Sequence, residues 1–360
     1  MYPADLQKIA HTVEISELRD TLMKQVPAAT ANLPATLKLL SDPVRLRLCA
    51  LLSQAELAVQ ELVAVTGLQQ SRISNHLSLL KRAGLVRDRR EGTWSFHSLV
   101  GPGASSPLTE ALFAAAIAPW RAGAEGAVDT KALQAVLDQR RARSREAHDR
   151  LAARWSASGE GFALGTLRAE LLAAAWPCRG PIADLGCGTG FLASWLASRG
   201  AVVVGVDHSE RMLERARALC GDAVQLRLGE LDALPVRDGE VAAVFANLVW
   251  HHLPDLDAAA REVLRVLQPG GTVVIGDLVP HRADWMREAM GDLRLGLEPE
   301  AVLGALLRAG AVDLRAERVA DRYCATDAAG QGVEFPMFLV AGRKPTAMQA
   351  EGPPAASRVL

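Results

Sequence analysis

From residue 182 onward the sequence alternates in a way that few folds satisfy. Apolar runs at 182–185, 202–206, 224–228, 241–246 and 272–276 are separated by helical stretches at 190–199, 209–220 and 256–268. Short continuous apolar runs mark strands buried on both faces, and strand–helix alternation demands a parallel sheet with helices over both sides. LRAERV (314–319) and FPMFLVAG (335–342) add a last pair of strands, expected as a closing antiparallel hairpin. The first run ends in IADLGCGTG (182–190) and opens directly into FLASWLASRG. Glycines there let the backbone turn tightly and approach a ligand. A dinucleotide loop has the form G-x-G-x-x-G, but Phe191 stands where its third glycine would fall. Asp184 ahead of the loop suits an ammonium or sulfonium group better than a pyrophosphate. Tight strand–helix turns need glycine on their own account, so the loop alone leaves a structural role open.

The first third of the chain is different in kind. From Leu33 to Arg82 short helical segments are separated by Asp42-Pro43, Ser53-Gln54 and Gly67. In TGLQQSRISNHLSLLKRAGLV (66–86), Ile73, Leu77 and Leu80 recur at i, i+4 and i+7, a single buried stripe. The rest of that helix shows Gln70, Ser71, Arg72, Ser74, Asn75, His76, Ser78 and Lys81, with no acid among them. Such a face suits the major groove, where Arg pairs with guanine and Asn or Gln with adenine. LVRDRREGTWSFHSL (85–99) alternates about Glu91-Gly92 as a two-stranded hairpin, and its Arg87, Arg89 and Arg90 suit phosphates. A solvated polar face beside a basic hairpin would have the same composition.

SDPVRLRLCALL (41–52), QQSRISNHLSLLKRAGLV (69–86) and RDRREGTWSFHSL (87–99) together resemble the ArsR-type winged helix-turn-helix family in order and spacing, over about residues 33–100. The resemblance implies a homodimer on two-fold operator DNA, with helices near 34–40 and 107–119 as its interface. It implies DNA contacts from Gln70, Ser71, Arg72, Ser74, Asn75, His76, Lys81, Arg89 and Arg90. Metal-sensing members carry cysteines in the segment written here ELAVQEL (56–62), where this chain has Ala58 and Gln60. A methyl and an amide cannot replace thiolates as ligands for soft metals. The helix at 108–120 contains neither His nor Asp. His76 and His97 each stand alone, so no metal site is expected.

The later half resembles class I S-adenosylmethionine (SAM)-dependent methyltransferases over roughly 145–345. The resemblance rests on DLGCGTG (184–190), Asp207 at the end of VVVGVD, GELDALP (229–235), FANLVWHHLPD (245–255) and LRVLQPGGTVVIGD (264–277). It implies a mostly parallel seven-stranded, Rossmann-like α/β sheet that binds SAM or S-adenosylhomocysteine (SAH). Asp184, Gly186, Cys187, Gly188 and Gly190 would hold the amino-acid part, Asp207 the ribose, and Glu230 with Leu231 the adenine. His208, Met212 and Asn247 would stand beside them. Glu230 departs from the family's more frequent Asp. HRADWMREAMGDLRLG (281–296) is similar to methyltransferase domains fused behind an ArsR-type reader, and ADWMREAMGDLRLGLEP (283–299) is expected to form a helix and lid. His252 and His281 are the candidate catalytic bases, with packing roles as the alternative. Cys178, Cys187 and Cys220 form no thiol triplet about a strand-end pocket, which argues against arsenic as the acceptor.

The expected organisation is therefore an α+β winged helix domain followed by an α/β domain. Its limits are an extension at 1–32, the reader at 33–100, a dimerisation helix and linker at 101–145, the methyltransferase-like domain at 146–345, and a disordered tail at 346–360. RAGAEGAVDT (121–130) reads as loose, and Lys131–Trp155 as a long charged helix. Residues 33–100 hold nine Lys/Arg against five Asp/Glu, whereas 181–345 hold 17 against 23, so the two parts suit different partners. Five scattered cysteines fit no disulfide or zinc spacing and point to a reducing cytoplasm. No apolar run reaches the ~18–20 residues of a membrane span. Three functions fit: a regulator that reads SAM or SAH as effector, a methyltransferase on a small metabolite with autoregulation, and a reader domain kept for dimerisation alone. The ELAVQEL segment favours the first, because a reader without thiolates needs another input.

Overall fold

The structure, a computed structural model, describes residues 33–91, 94–100, 107–158, 171, 180–327 and 329–346. The expected helix within 1–32, the turn at Gly92, the linker at 101–106, the LLAAAWP segment beyond Leu171 and the tail after Thr346 lie outside the described residues. The described residues fall into two compact units, one up to Arg143 and one from Ser144.

In the first unit α1 (Leu33–Leu40) leads to α2 (Pro43–Leu52), which starts where the sequence provides a cap. Asp42 Oδ1 accepts from the amides of Val44 at 2.9 Å and Arg45 at 3.0 Å, with Pro43 in the first turn, where its missing N–H costs nothing. A two-residue strand, β1 (Leu57–Ala58), precedes α3 (Val59–Thr66), so ELAVQEL is part strand and part helix. Gly67 ends α3 at φ 68°, a left-handed cap. α4 (Gln70–Arg82) then buries Ile73, Leu77 and Leu80 as its spacing dictates. β2 (Val86–Glu91) and β3 (Trp94–Leu99) form an antiparallel wing, and β1 joins it through Leu57 opposite His97 and Ala58 opposite Phe96.

The stretch 121–130 is not loose. α5 (Pro107–Ala122) breaks only at Gly123, and α6 (Ala124–Ser158) starts at once. Gly126 lies within α6 and serves a close approach: a Cβ there would lie 2.3 Å from the Trp120 carbonyl oxygen. Asp129, 1% exposed, receives Arg47 of α2 through two bonds of 2.5 and 2.6 Å. Arg140 of α6 likewise pairs with Glu61 of α3. These bidentate pairs fix the first part of α6 within this unit.

The second unit is a seven-stranded sheet in the order β6-β5-β4-β7-β8-β10-β9. Its parallel strands are β4 (Ile182–Leu185), β5 (Val203–Asp207), β6 (Val224–Leu228), β7 (Val241–Asn247) and β8 (Leu267–Leu278). β10 (Gly332–Arg343) inserts antiparallel between β8 and β9 (Val312–Thr326). Between the strands run α7 (Phe191–Ala197), α8 (Glu210–Cys220), α9 (Leu256–Val266), α10 (Trp285–Ala289) and α11 (Pro299–Arg308). The chain builds outward from β4 to β6 and returns to β7 on β4's other side, so a crevice opens at the carboxyl ends of β4 and β7. The expected lid helix is shorter than its pattern: only Trp285–Ala289 is helical before the bends at 293–296. Gly296 explains the irregular return, since a Cβ there would meet the Val279 carbonyl at 2.4 Å. No helix among the described residues is long and apolar enough to cross a membrane.

Candidate functional site

The glycine run forms the turn between β4 and α7. Gly186 has φ 68°, and a Cβ on it would come within 2.4 Å of Val249 Cγ2, so only glycine lets the loop pass the β7 side of the crevice. Gly188, at φ 53°, faces open space, with nothing within 4 Å of its Cβ position. Asp184 at the end of β4 is 2% exposed, and its Oδ2 has no hydrogen-bond partner among the described residues. Burial pushes its carboxyl up to about 7, against an Ala193 backbone hydrogen bond that lowers it and with the Asp207 charge adding to the rise. A carboxyl in that condition keeps its proton to near-neutral pH unless a cationic group comes to pair with it.

Asp207 ends β5 and binds both neighbouring turns. Its Oδ2 accepts from Gly188 N at 2.8 Å and its Oδ1 from Ser209 N at 2.9 Å. Glu230 follows β6, 3.0 Å from Arg145 Nη1 and 3.6 Å from His208 Nδ1. Leu231 is buried beside it. Met212 lies 2% exposed in α8, where its amide donates to Ser209 Oγ. Cys187 is buried in the loop, and burial raises its thiol well above the usual range. Asn247 ends β7 next to the Ala246–Leu185 pairing, with Oδ1 buried and unpartnered among the described residues. Leu248, directly after it, takes φ 55°, a strained conformation for a branched side chain and one concentrated at functional crevices. Asp184, Asp207 and Glu230 thus stand at the carboxyl ends of adjacent strands.

The last turns of α6 were not anticipated at this site. Arg145 meets Glu230, His148 Nδ1 lies 3.2 Å from His208 Nε2, and Asp149 Oδ1 accepts from Ser209 Oγ at 2.5 Å. Arg145, His148 and Asp149 share a helix face at i, i+3 and i+4, the one sequence signal that marked them.

The candidate histidines separate. His252 is partly buried, its Nδ1 3.2 Å from the Gly291 carbonyl, and its ring packs edge-on against His148 at 4.7 Å. Burial and the neighbouring His251 and His148 hold its pKa well below the ordinary histidine value. His251 beside it lies 2.6 Å from Asp277 Oδ1; burial lowers its pKa, but Asp277 and Asp292 outweigh this and raise it to about 10. His281 packs instead on Phe335, with ring centroids 4.5 Å apart, so it does not join the His148–His208–His251–His252 group. Asp277 and Asp292 were missed: they come from β8 and from the turn after α10, with no local motif.

In the first unit, Gln70, Ser71, Arg72, Asn75 and Ser78 are exposed along α4, with Ser74 half-buried. Arg90 is exposed on the wing. Other expected DNA contacts are engaged elsewhere. His76 turns toward Asp42, 4.0 Å from its Oδ1. Lys81 Nζ meets Asp88 Oδ1 at 2.5 Å, and Arg89 pairs with Glu56 at 2.9 Å while lying over the Phe96 ring. For Lys81 and Arg89 an acid on a neighbouring element pairs with the cation.

Comparison with known proteins agrees with both halves. Residues 42–88 match the model for bacterial regulatory proteins of the arsR family, and residues 183–275 a methyltransferase domain model. An uncharacterised methyltransferase of Mycobacterium tuberculosis is 40% identical over 108 residues, which cover 30% of this chain and 44% of that protein. An arsenite methyltransferase of Halobacterium salinarum is 33% identical over 164 residues, covering 44% of this chain and 40% of that protein. The chain spans less than half the length of each of these curated relatives. A phosphoethanolamine N-methyltransferase of Haemonchus contortus, solved with S-adenosyl-L-methionine, is 18% identical at a TM-score of 0.43 over 52% of this chain and 54% of that one. From the two matched models and the two folds above, this chain joins an ArsR-family helix-turn-helix domain to a class I methyltransferase domain.

Proposed function

We propose that the protein is a transcriptional regulator in which SAM or SAH, bound in the methyltransferase domain, sets the affinity of the reader for operator DNA. The observation that carries this reading is α6. Its first part is ion-paired to α2 and α3 through Asp129 and Arg140, and its last turns bond to Glu230, His208 and Ser209. A ligand that takes over Glu230 or His208 changes what that helix is bonded to. A ligand shifts a second equilibrium only through its differential affinity for two states, and α6 is where such a difference would enter.

The residues present fit the ligand. The unpartnered Asp184 Oδ2 would take the ammonium group, the open face at Gly188 would admit the amino-acid chain past Cys187 and Gly190, and Asp207 would accept from the ribose hydroxyls. Glu230 and Leu231 would hold the adenine, with His208, Met212 and Asn247 around it. SAM, when bound, supplies an electrophilic methyl group, whereas SAH supplies none. The domains in this reading are 33–100 as reader, 101–145 as dimerisation helix and linker, and 146–345 as ligand domain. It places the protein in the cytoplasm as a homodimer on two-fold DNA through α1 and α5, with Arg72, Gln70, Ser71, Asn75 and Arg90 on the DNA.

Two measurements address the parts. In fluorescence anisotropy with a fragment of the protein's own promoter, SAH is expected to change DNA affinity tenfold or more, about 1.4 kcal/mol of coupling; an unchanged affinity contradicts the effector role. Arg72→Ala is expected to weaken operator binding by about 1–3 kcal/mol, the worth of one bidentate base contact, and to leave SAH affinity intact. Equal operator binding by the variant would remove α4 as the reader.

A second reading has its own support. His252 has its pKa lowered by burial and its Nδ1 engaged by Gly291, which leaves the Nε2 lone pair without a hydrogen bond and suits a base in a methyltransferase acting on a small metabolite. Transfer of the methyl group from labelled SAM to a compound in cell extract, with no ligand effect on DNA, selects that reading. This reading does not carry over the acceptor named for the arsenite methyltransferase, and Cys178 lies outside the described residues. Among the described residues Cys187 and Cys220 are buried around the glycine loop, Cys324 lies on β9 and Cys49 belongs to the reader unit.

A further inference from the structure

His251, His252 and Asp292 meet in an arrangement that hydrogen bonds leave unfinished. His251 Nδ1 lies 2.6 Å from Asp277 Oδ1, and His252 Nδ1 lies 3.2 Å from the Gly291 carbonyl oxygen. Each ring is thereby oriented by an acceptor on its Nδ1 side. Both Nε2 atoms then face one oxygen, Asp292 Oδ1, at 3.6 Å from His251 and 3.9 Å from His252. Those separations exceed hydrogen-bond range. The Asp292 side chain is 1% exposed, and neither of its oxygens has a hydrogen-bond partner among the described residues. Leaving a carboxylate buried in that condition is costly unless something else completes it.

We propose that this group binds one divalent transition-metal cation of the zinc class through His251 Nε2, His252 Nε2 and Asp292 Oδ1. The donor atoms lie within 4.8 Å of one another. A tetrahedral ion bound at ~2.0–2.2 Å would hold its ligands roughly 3.4 Å apart, so the site closes with small side-chain movements. Two imidazoles and one carboxylate select Zn²⁺, Co²⁺, Ni²⁺ or Fe²⁺ over Mg²⁺ and Ca²⁺, which prefer all-oxygen shells. Asp277 on His251 and the Gly291 carbonyl on His252 are the outer partners that metal-bound histidines ordinarily have. Three protein ligands leave a coordination position open, as in sites that take a water or a substrate atom. The site does not depend on a nucleotide, so it stands or falls separately from the SAM and SAH reading.

The test uses the full chain, stripped with chelator and without nucleotide. Titration with Zn²⁺ against a chromogenic competitor is expected to find one ion per chain, and Co²⁺ to give the visible absorption of a four- or five-coordinate site. Asp292→Asn and His252→Gln are expected to lose at least tenfold in affinity and to lose the Co²⁺ spectrum. Melting temperature is expected to rise with Zn²⁺ in the wild type and to stay flat in folded variants. Asp277→Asn leaves all three ligands in place and is expected to weaken binding by about 10–100-fold. It decides the matter if the ligand variants do not fold. Absence of a stoichiometric ion in the wild type overturns the proposal. Wild-type affinity in the folded ligand variants, or in Asp277→Asn, does so too.

Discussion

Replacing Asp207 by alanine is expected to lower SAH affinity by about a hundredfold or more. The carboxylate sits at the end of β5 and already binds the Gly188 and Ser209 amides, one on each oxygen. Each oxygen retains a second lone pair that a ribose hydroxyl could use. Hydrogen bonds to a charged group are worth about 1.5–3 kcal/mol each, so losing two costs about 3–6 kcal/mol, a factor of roughly 10² to 10⁴. The variant also releases Gly188 from β5 and loosens the loop. Asp207→Asn, which keeps one acceptor oxygen, should fall between wild type and alanine. Calorimetric titration of SAH into all three proteins, each checked for an intact melting transition, reads this directly. Wild-type affinity in Asp207→Ala would refute the assignment of this strand end to the ribose.

The second large effect belongs to Asp184 and appears in stability as well as binding. Its carboxyl is raised from 3.8 to about 7 in the folded, ligand-free protein. Between those values the native state keeps a proton that the unfolded chain has already released. Stability of the ligand-free protein therefore falls as pH rises from 3.8 to about 7, by about 4 kcal/mol at completion. Asp184→Asn cannot titrate, and it is expected to remove that part of the slope in denaturant unfolding measured across this range. The same variant should lose most of its SAH affinity, because an amide cannot pair with the ligand's ammonium. Such a trade of ligand-free stability for binding is a mark of a functional group. An unchanged pH slope together with unchanged binding would make Asp184 an ordinary buried strand residue.

How far the chain could be read from its residues follows from how local each signal is. The parallel strands were legible because strands buried on both faces are continuous apolar runs, and Asp184 and Asp207 because they close two of those runs. α4 was legible because Ile73, Leu77 and Leu80 repeat at helical spacing and are buried as expected. The stretch 121–130 was misread as loose, since the place of Gly126 is set by the Trp120 carbonyl in the preceding helix. Lys81 and Arg89 carry the right chemistry for DNA and are also ion-paired to Asp88 and Glu56, pairings that no spacing along the chain announces. Arg145, His148, Asp277 and Asp292 escaped for the same reason. They come from a long helix, a strand end and a turn whose meeting is set by tertiary packing, which no spacing along the chain encodes.

The central claim is a coupling between two ligands, and coupling is reciprocal. The direct measurement is the affinity of SAH for the free protein and for the protein saturated with its operator. These affinities are expected to differ by the same factor by which SAH changes operator affinity, tenfold or more. Identical SAH affinities in the two states would contradict it and leave the methyltransferase domain a catalyst rather than a sensor.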